Sequence, residues 1–351
     1  MPPTRPDPDG PIALIARQAG TATAFTPLLD ALEASGERLI IGALGHARTT
    51  WGDRASIAAD TFADLVGPLS QAERPSLLVT GTSAEPEDDA LSWRWARQHG
   101  IPSIAFVDSW INYAARFTAT EGSWVSPLPD VIAVLDEASL RRMVELGLPE
   151  ARLRVVGSPA FDALMARKRA MGPRAEGLEL LFASQPLAGR GLPASWDEHA
   201  ALDLVIQTLQ SMRFDGPVTL VLRRPPAEPE GVFTRRLQEP VSGSLRLRVD
   251  DRADRLDAIA SAHAVIGIVS MIQVEAQWLG RPALSVQPGE PARSDLLSLH
   301  QVPIASDTAS LKRAITAALQ ESWQGPKAPK LALPSWLEMM EELRRSLPPE
   351  Y

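Results

Sequence analysis

The chain has 351 residues, of which 45% are hydrophobic and 22% charged, and its formal net charge is −8. This composition predicts a soluble globular protein of two domains and argues against a general nucleic-acid-binding protein, which would be basic overall. The sequence contains no cysteine. Disulfides, thiolate catalysis and cysteine metal sites are therefore excluded, and a reducing compartment is the simplest setting.

Residues 1–10 contain four prolines and no apolar segment, so we expect a flexible start that is not a signal peptide. No run approaches the roughly 18 apolar residues needed to span a membrane. We therefore expect a cytoplasmic protein, with peripheral membrane contact left open. The abundance of Arg, Ala and Pro over Lys suggests a GC-rich bacterial genome.

Short apolar runs of strand character alternate with segments of helical spacing along the whole chain. Because these runs are apolar along their entire length, they predict parallel sheets covered by helices on both faces. The predicted strands are Ile12–Ala16, Arg38–Ala43, Ser76–Val79, Ser103–Val107, Val131–Leu135, Leu153–Val156, Leu178–Ala183, Val218–Leu222, Leu245–Val249, Ala264–Ile268 and Ala283–Val286.

A polar segment with Gly and Pro breakers, residues 169–177, separates two series of strands. We predict an α/β protein with two doubly wound, Rossmann-like domains, residues 11–168 and 178–325, that face a cleft. Ligands of such sheets bind beyond the carboxyl ends of the strands. Residues 334–349 predict an amphipathic helix that packs back on the first domain.

Three loops that follow strands of the first half are candidate ligand contacts. Gly20 and its small neighbours let a ligand approach the backbone, although such loops are common. His46 is the histidine best placed for acid or base chemistry, and local hydrogen bonding is the alternative. Thr82 and Ser83 are candidate substrate contacts, but the spacing of Thr82 and Glu85 also fits a helix capping box.

The fourth strand leads into the densest polar and aromatic segment of the chain. Asp108 at the strand tip is a candidate general base, and Arg116 a candidate phosphate ligand. Trp110 and Tyr113 are candidates to stack on sugars; the alternative is an Asp cap with both rings filling the crevice. Glu121 is the other carboxylate within reach. The predicted catalytic residues are Asp108, Glu121 and His46.

The most informative stretch lies at the end of the strand Ala264–Ile268, where a small-residue turn leads into a helix. Ser270 is a candidate N-cap. The free N–H groups and the dipole of the helix form an anion site, and Glu275 is placed to accept hydroxyls of a ribose or sugar. The alternative is an ordinary strand–helix junction.

Further polar residues follow the other strands of the second half. Two adjacent arginines, Arg223 and Arg224, suit bidentate phosphate binding, whereas solvated surface arginines are the alternative. The predicted substrate- and nucleotide-binding residues are Gly20, Thr82, Ser83, Arg116, Ser184, Gln185, Arg223, Arg224, Gly267, Ser270, Glu275 and Gln287.

The five histidines are scattered without metal-ligand spacing, and no carboxylate pair stands at a strand end. We therefore expect neither a metal nor a cofactor.

Three stretches resemble the GT-B-fold superfamily, which includes glycosyltransferases and UDP-N-acetylglucosamine 2-epimerases. They are residues 100–108, which resemble a strand of the N-terminal half; Leu153–Asp162, which resemble the end of that half; and residues 259–282, which resemble the donor-site helix. The chain lacks the Ser-Gly-Gly of the epimerase donor loop and has Arg224-Pro-Pro where relatives often carry His-Pro.

The resemblance implies a metal-independent enzyme that binds a nucleotide-sugar mainly through its second half. Diphosphate would lie near Ser270, and Glu275 would contact ribose or sugar. We expect a glycosyltransferase of surface-polysaccharide or glycoconjugate assembly, with Asp108 as the acceptor-side base. Epimerisation or hydrolysis of the donor, and non-catalytic binding, remain alternatives. The acceptor, sugar, base and oligomeric state stay open.

Overall fold

The computed structural model describes residues 6–83, 86–119, 122–171, 174–187, 196–224, 231–239, 241, 243–252, 254–289, 294–320, 323, 325–326 and 329–345. The chain divides into two compact units. Unit 1 comprises Met1–Ala163 and Pro329–Tyr351, and unit 2 comprises Leu164–Ala328.

Unit 1 is built on a parallel sheet whose strand order is β3-β2-β1-β4-β5-β6-β7. Its central strands are apolar and buried along their whole length, which requires cover on both faces. The strands are β1 Ile12–Ala16, β2 Leu39–Leu44, β3 Ile57–Ala59, β4 Leu77–Thr80, β5 Ser103–Phe106, β6 Val131–Val134 and β7 Leu153–Val155. The helices of this unit are α1 Ala19–Ala34, α2 Ala47–Trp51, α3 Phe62–Gln71, α4 Pro86–Gln98, α5 Glu137–Glu145 and, at the end of the chain, α13 Leu333–Arg345, while α6 Pro159–Arg169 runs from unit 1 into unit 2.

Unit 2 has a second parallel sheet of order β10-β9-β8-β11-β12-β13. Its core lies between the apolar face of the sheet and helices such as α7 and α12. The strands are β8 Leu178–Ala183, β9 Val218–Arg223, β10 Leu245–Val249, β11 Ala264–Gly267, β12 Ala283–Val286 and β13 Ile304–Ala305. The helices are α7 Glu198–Gln210, α8 Thr234–Gln238, α9 Arg255–Ser261, α10 Met271–Trp278, α11 Asp295–Leu299 and α12 Thr308–Ala318.

The prediction of two doubly wound parallel-sheet domains is confirmed. All eleven predicted strands are present, with ends that differ by at most one residue. Strands β3 and β13 were not predicted; they are three and two residues long and lie at the edges of their sheets. Such strands lack the continuous apolar run that reveals a buried strand.

The C-terminal helix α13 packs on unit 1, as predicted. Asp162 holds its start, because the two carboxylate oxygens accept hydrogen bonds from the N–H groups of Ala332 (2.7 Å) and Leu333 (2.8 Å). At its other end Arg344 donates to Glu37 Oε1 (2.9 Å) and Ser76 Oγ (3.1 Å). Polar contacts therefore hold both ends of α13 against the rest of unit 1.

Within the described part of the chain, none of the helices combines the length and apolar character that crossing a membrane requires.

Candidate functional site

In unit 1 the strand order reverses between the adjacent strands β1 and β4: β2 and β3 extend the sheet on the side of β1, and β5, β6 and β7 extend it on the side of β4. Loops that leave the carboxyl ends of two such strands diverge and form a crevice where doubly wound proteins bind ligands. The loops after β4 and β5 carry Thr82, Ser83 and Asp108, whereas Gly20, predicted in the loop after β1, lies in the first turn of α1, which begins at Ala19. The topology therefore places these residues at one edge of one sheet.

Asp108 and Arg116 form the centre of this edge. The carboxylate of Asp108 accepts a hydrogen bond from Thr21 Oγ1 (2.8 Å) at one oxygen, and its other oxygen lies 3.0 Å from Arg116 Nη1. The same guanidinium donates to Thr82 Oγ1 (2.8 Å) and Ser109 Oγ (2.6 Å). Both side chains are thus held in fixed orientations by Thr21 of α1 and by residues of the loops after β4 and β5.

Thr82 is part of this network and does not cap a helix. Its hydroxyl donates to the carbonyl of Phe106 (2.9 Å), and α4 begins only at Pro86. The capping-box alternative for Thr82 is therefore wrong, since the helix starts too late in the chain. Glu85, its predicted capping partner, lies outside the described residues.

Two glycines lie beside Thr21 and Asp108, and only one of them is required by the packing. A Cβ on Gly81 would lie 2.3 Å from Thr21 Cγ2, so only glycine leaves room for Thr21 at this position. Gly20 is exposed, and a Cβ there would meet only Asp108 Oδ2, at 3.6 Å. The backbone at Gly20 is therefore open beside the carboxylate, although its predicted ligand role stays a prediction.

Ser83 binds a second aspartate, which the sequence analysis did not select. Its backbone N–H and its Oγ both donate to Asp89 Oδ2, at 2.7 and 2.9 Å. Burial of this carboxylate raises its pKa to about 6, against the lowering effect of the two hydrogen bonds from Ser83. The signal that would have found Asp89 is its position in the first turn of the helix after β4.

The aromatic residues after β5 belong to the core of unit 1. Trp110 is buried, stacks on Phe161 and donates to Asp136 Oδ2 (2.7 Å). Tyr113 is also buried, with its hydroxyl 3.1 Å from Ser139 Oγ. The idea that these rings stack on sugars is wrong for this structure, because neither ring is exposed.

Of the two remaining catalytic candidates, only His46 belongs to the described residues, and it has no hydrogen bond to this cluster. His46 is exposed at the N-cap position of α2 and makes no side-chain cap. Glu121 lies outside the described residues. Both remain predictions.

In unit 2 the strand order reverses between β8 and β11. Gln185, after β8, accepts a hydrogen bond from the backbone N–H of Val269, after β11, at 3.0 Å. This contact fixes the two diverging loops at the position where the fold binds ligands.

The predicted N-cap at Ser270 is confirmed. Ser270 and Gln273 form a capping box, in which Gln273 Oε1 accepts from the Ser270 N–H at 2.8 Å. Gln273 is fully buried below Gly267, where a Cβ would come within 2.9 Å of Gln273 Cδ. Packing alone therefore requires glycine at position 267, and its ligand role is a separate, untested prediction.

Glu275 is paired with an arginine that the sequence analysis did not select. Arg255, in the first turn of α9, donates to both carboxylate oxygens of Glu275, at 2.9 and 2.7 Å. These hydrogen bonds raise the pKa of Arg255 against the opposing effect of burial. A ligand hydroxyl would have to share this carboxylate with the guanidinium.

Arg223 is likewise engaged within unit 2. It forms an ion pair with Asp250, whose side chain is 0% exposed, and Asp250 also binds Arg252. Burial alone would raise the pKa of Asp250, but hydrogen bonds from the two arginines outweigh it and lower the pKa. Arg224 and Asp250 line a cavity of about 280 Å3. A phosphate at Arg223 would therefore compete with Asp250.

Two other residues of unit 2 that were predicted to bind the substrate or nucleotide, Ser184 and Gln287, are buried. Gln287 is 0% exposed, and its amide donates to Ser285 Oγ at 3.0 Å. Ser184 is buried at the end of β8. Ligand contact by either side chain would require this edge of the sheet to open, so their binding roles remain untested.

Over the residues that the structure describes, no group of three or more His, Asp or Glu could hold a metal ion.

Comparisons with known proteins identify the fold. The chain matches no protein-family model, and no curated protein is significantly similar to it in sequence. Its structure is similar to the UDP-GlcNAc 2-epimerase from Neisseria meningitidis bound to UDP-GlcNAc, with a TM-score of 0.67 and 13% identity over 94% of this chain and 99% of that chain.

Two further solved structures support the same fold. The UDP-GlcNAc 2-epimerase from Methanocaldococcus jannaschii has a TM-score of 0.66 and 12% identity, covering 94% of this chain and 99% of that one. MurG from Acinetobacter baumannii has a TM-score of 0.55 and 15% identity, covering 97% and 96%. The chain therefore has the GT-B fold, as its sequence resemblance predicts.

Proposed function

We propose that the protein is an enzyme that acts on a nucleotide-activated sugar, with glycosyl transfer as its reaction. The observation that carries this proposal is the location of the polar clusters. In each parallel sheet one group of polar residues, around Thr82 and Asp108 in unit 1 and around Gln185 and Ser270 in unit 2, lies at the carboxyl edge where the strand order reverses. The fold is that of a protein solved with UDP-GlcNAc.

Unit 2 would bind the nucleotide. The turn after β11 leads into the capped start of α10, where backbone N–H groups and the helix dipole favour a diphosphate. Stabilising the departing diphosphate is the main demand of glycosyl transfer. Arg224, at the end of β9, is the second candidate for that charge.

Unit 1 would bind the acceptor. Asp108 is fixed by Thr21 and Arg116, so its carboxylate has a defined orientation within the proposed acceptor site. Donor epimerisation or hydrolysis is the second candidate, because the two epimerases superpose on this chain better than MurG does. Product analysis separates them: transfer needs an acceptor, whereas epimerisation and hydrolysis consume the donor alone.

Replacing Asp108 with asparagine should lower the release of nucleoside diphosphate by about 100-fold. The substitution keeps the size of the side chain but removes the ion pair with Arg116. Release would be measured with UDP-GlcNAc, UDP-glucose and GDP-mannose. The control is Asp130→Asn, at the amino end of β6 and so at the opposite edge of the sheet. Equal activity of both variants would contradict a site role for Asp108.

A nucleoside diphosphate should raise the melting temperature, and Glu275→Gln should abolish that increase. In a thermal-shift series with UDP, GDP, CDP, TDP and CMP, a ligand at 100 times its Kd stabilises by about 2.7 kcal/mol. Loss of the pair with Arg255 should itself cost about 1 kcal/mol in the unliganded protein.

Arg255→Ala is the matched control, since it breaks the same ion pair and leaves the carboxylate in place. It should lower the unliganded melting temperature and keep the shift with ligand. If both variants respond to the ligand like the wild type, Glu275 has only a structural role.

A further inference from the structure

A small cavity in unit 1 lies beside the Asp108 cluster. It has a volume of about 20 Å3 and opens at the carboxyl ends of β1 and β4, where Thr21, Thr82, Asp88 and Asp89 contribute to its wall. A cavity of this size holds about one water molecule. It therefore fits a single hydroxyl group or water oxygen, and it is too small for a sugar ring.

The two adjacent aspartates of this wall have different partners. Asp88 forms an ion pair with Arg17 and faces the backbone N–H of Phe62 at 3.4 Å. Asp89 forms no ion pair among the described residues, although the charge of Arg17 acts on it, and the two hydrogen bonds from Ser83 end on only one of its oxygens. Both carboxylate oxygens of Asp88 therefore make contacts within unit 1, whereas one carboxylate oxygen of Asp89 is available to accept a hydrogen bond from a ligand.

The surroundings of Asp89 suit proton transfer near neutral pH. Burial raises its pKa to about 6, the Ser83 hydrogen bonds lower it, and the charges of Asp88 and Arg17 act in opposite directions. A base whose pKa lies close to the working pH is the most effective proton acceptor. By contrast, both oxygens of Asp108 are already occupied by Thr21 and Arg116.

Two threonines join the cavity to the Asp108 cluster. Thr21 lines the cavity and donates to Asp108, and Thr82 lines it and accepts from Arg116. The charged groups that face the cavity are thus Arg17, Asp88 and Asp89, with Asp108 and Arg116 behind the threonines. An oxygen in the cavity would lie within the proposed acceptor site.

We propose that Asp89 is the catalytic base of this site and takes the proton from a hydroxyl oxygen seated in the cavity. The inference rests on the proposed function. The O–H bond breaks and the proton moves to the Asp89 carboxylate. The oxygen forms a bond to C1 of the donor sugar, and the C1–O bond to phosphate breaks, so that its electron pair leaves with the nucleoside diphosphate. The oxygen belongs to an acceptor or to water.

The matched variants are Asp89→Asn and Asp130→Asn. Asp130 accepts hydrogen bonds from the N–H and Oγ of Ser103, both at 2.9 Å, the same pattern that Asp89 makes with Ser83. A carboxylate with a raised pKa weakens the folded state above that pKa, because the unfolded chain ionises more easily. At pH 8, Asp89→Asn should therefore melt at a higher temperature than the wild type, and Asp130→Asn at a lower one.

Activity would be followed as nucleoside diphosphate release from UDP-GlcNAc, UDP-glucose and GDP-mannose between pH 5 and 9. One arm contains no acceptor and the other contains free N-acetylglucosamine, which separates water from an acceptor hydroxyl as the source of the oxygen. Asp89→Asn should lower kcat by about 100-fold or more, leave KM within about threefold and remove the decline of rate below about pH 6.

A purely structural role of Asp89 would leave the pH dependence of the rate unchanged in the variant Ser83→Ala. Loss of its hydroxyl removes a hydrogen bond that lowers the pKa of Asp89, so the acidic decline of the rate should move upward by about one pH unit. Asp108→Asn should lower the rate without moving that decline.

Wild-type kcat and an unchanged pH profile in Asp89→Asn would overturn this inference and leave the proposed function standing. So would an equal loss of activity in Asp130→Asn. Release of no nucleoside diphosphate from any of the three donors would overturn the proposed glycosyl transfer and this inference together.

Discussion

Replacing Trp336 with alanine is expected to lower the free energy of unfolding of unit 1 by about 3–5 kcal/mol. The indole is 0% exposed and packs edge-on against Phe106 and Phe25, with ring centroids 5.1 and 5.8 Å apart. Its Nε1 donates to the carbonyl of Gly157 at 3.0 Å. The truncation leaves both a cavity and an unpaired carbonyl.

Leu337→Ala is the control for Trp336→Ala. It alters the next residue of α13, which is 39% exposed, and should change stability by no more than about 0.5 kcal/mol. Urea denaturation followed by circular dichroism measures both. A loss below about 1 kcal/mol in Trp336→Ala would show that α13 contributes little to unit 1.

Replacing Asp250 with asparagine is expected to destabilise unit 2 by about 3 kcal/mol, the lower end of the range for breaking a buried ion pair. The buried carboxylate holds two guanidiniums, those of Arg223 and Arg252, and an amide leaves both without a counter-charge. The lower end applies because the two arginines are partly exposed.

The effect of Asp250→Asn should depend on pH. The pKa of Asp250 is lowered on folding, so its contribution to stability is complete above the ordinary aspartate pKa of 3.8 and disappears on further acidification. The difference from the wild type should therefore be full at pH 7 and smaller at pH 3. Asp251→Asn, whose side chain is 90% exposed, is the control and should have little effect at either pH. A difference that persists undiminished at pH 3 would contradict the ion-pair origin.

The strand–helix alternation and the edge of each sheet that carries polar loops were predictable from the sequence. β1 is apolar at every position and β8 at every position except Glu179, and such strands are characteristic of covered parallel sheets. Since all strands of a parallel sheet end at the same edge, the residues after them had to lie along that edge. The cap at Ser270 was predictable because it depends on local spacing alone.

The pairing of side chains across that edge was not predictable. Thr21 and Asp108 are 87 residues apart in the chain, and Gln185 and Val269 are 84 apart. Their contacts depend on which strands are neighbours, which a single sequence does not specify. Asp89, in the acidic pair at the start of a predicted helix, was not selected as a site residue because its raised pKa results from burial, and burial depends on packing.

The amino-acid sequence by itself determined the class of fold, the two series of parallel strands and the loops in which chemistry can occur, because these follow from local apolar patterns. Only the tertiary structure decided which polar groups in those loops are committed to the fold. It paired Glu275 with Arg255 and Arg223 with Asp250, and it placed Asp89 beside a cavity the size of one oxygen. The physical reason is that burial and electrostatic pairing act between neighbours in space, which the order of residues along the chain does not reveal.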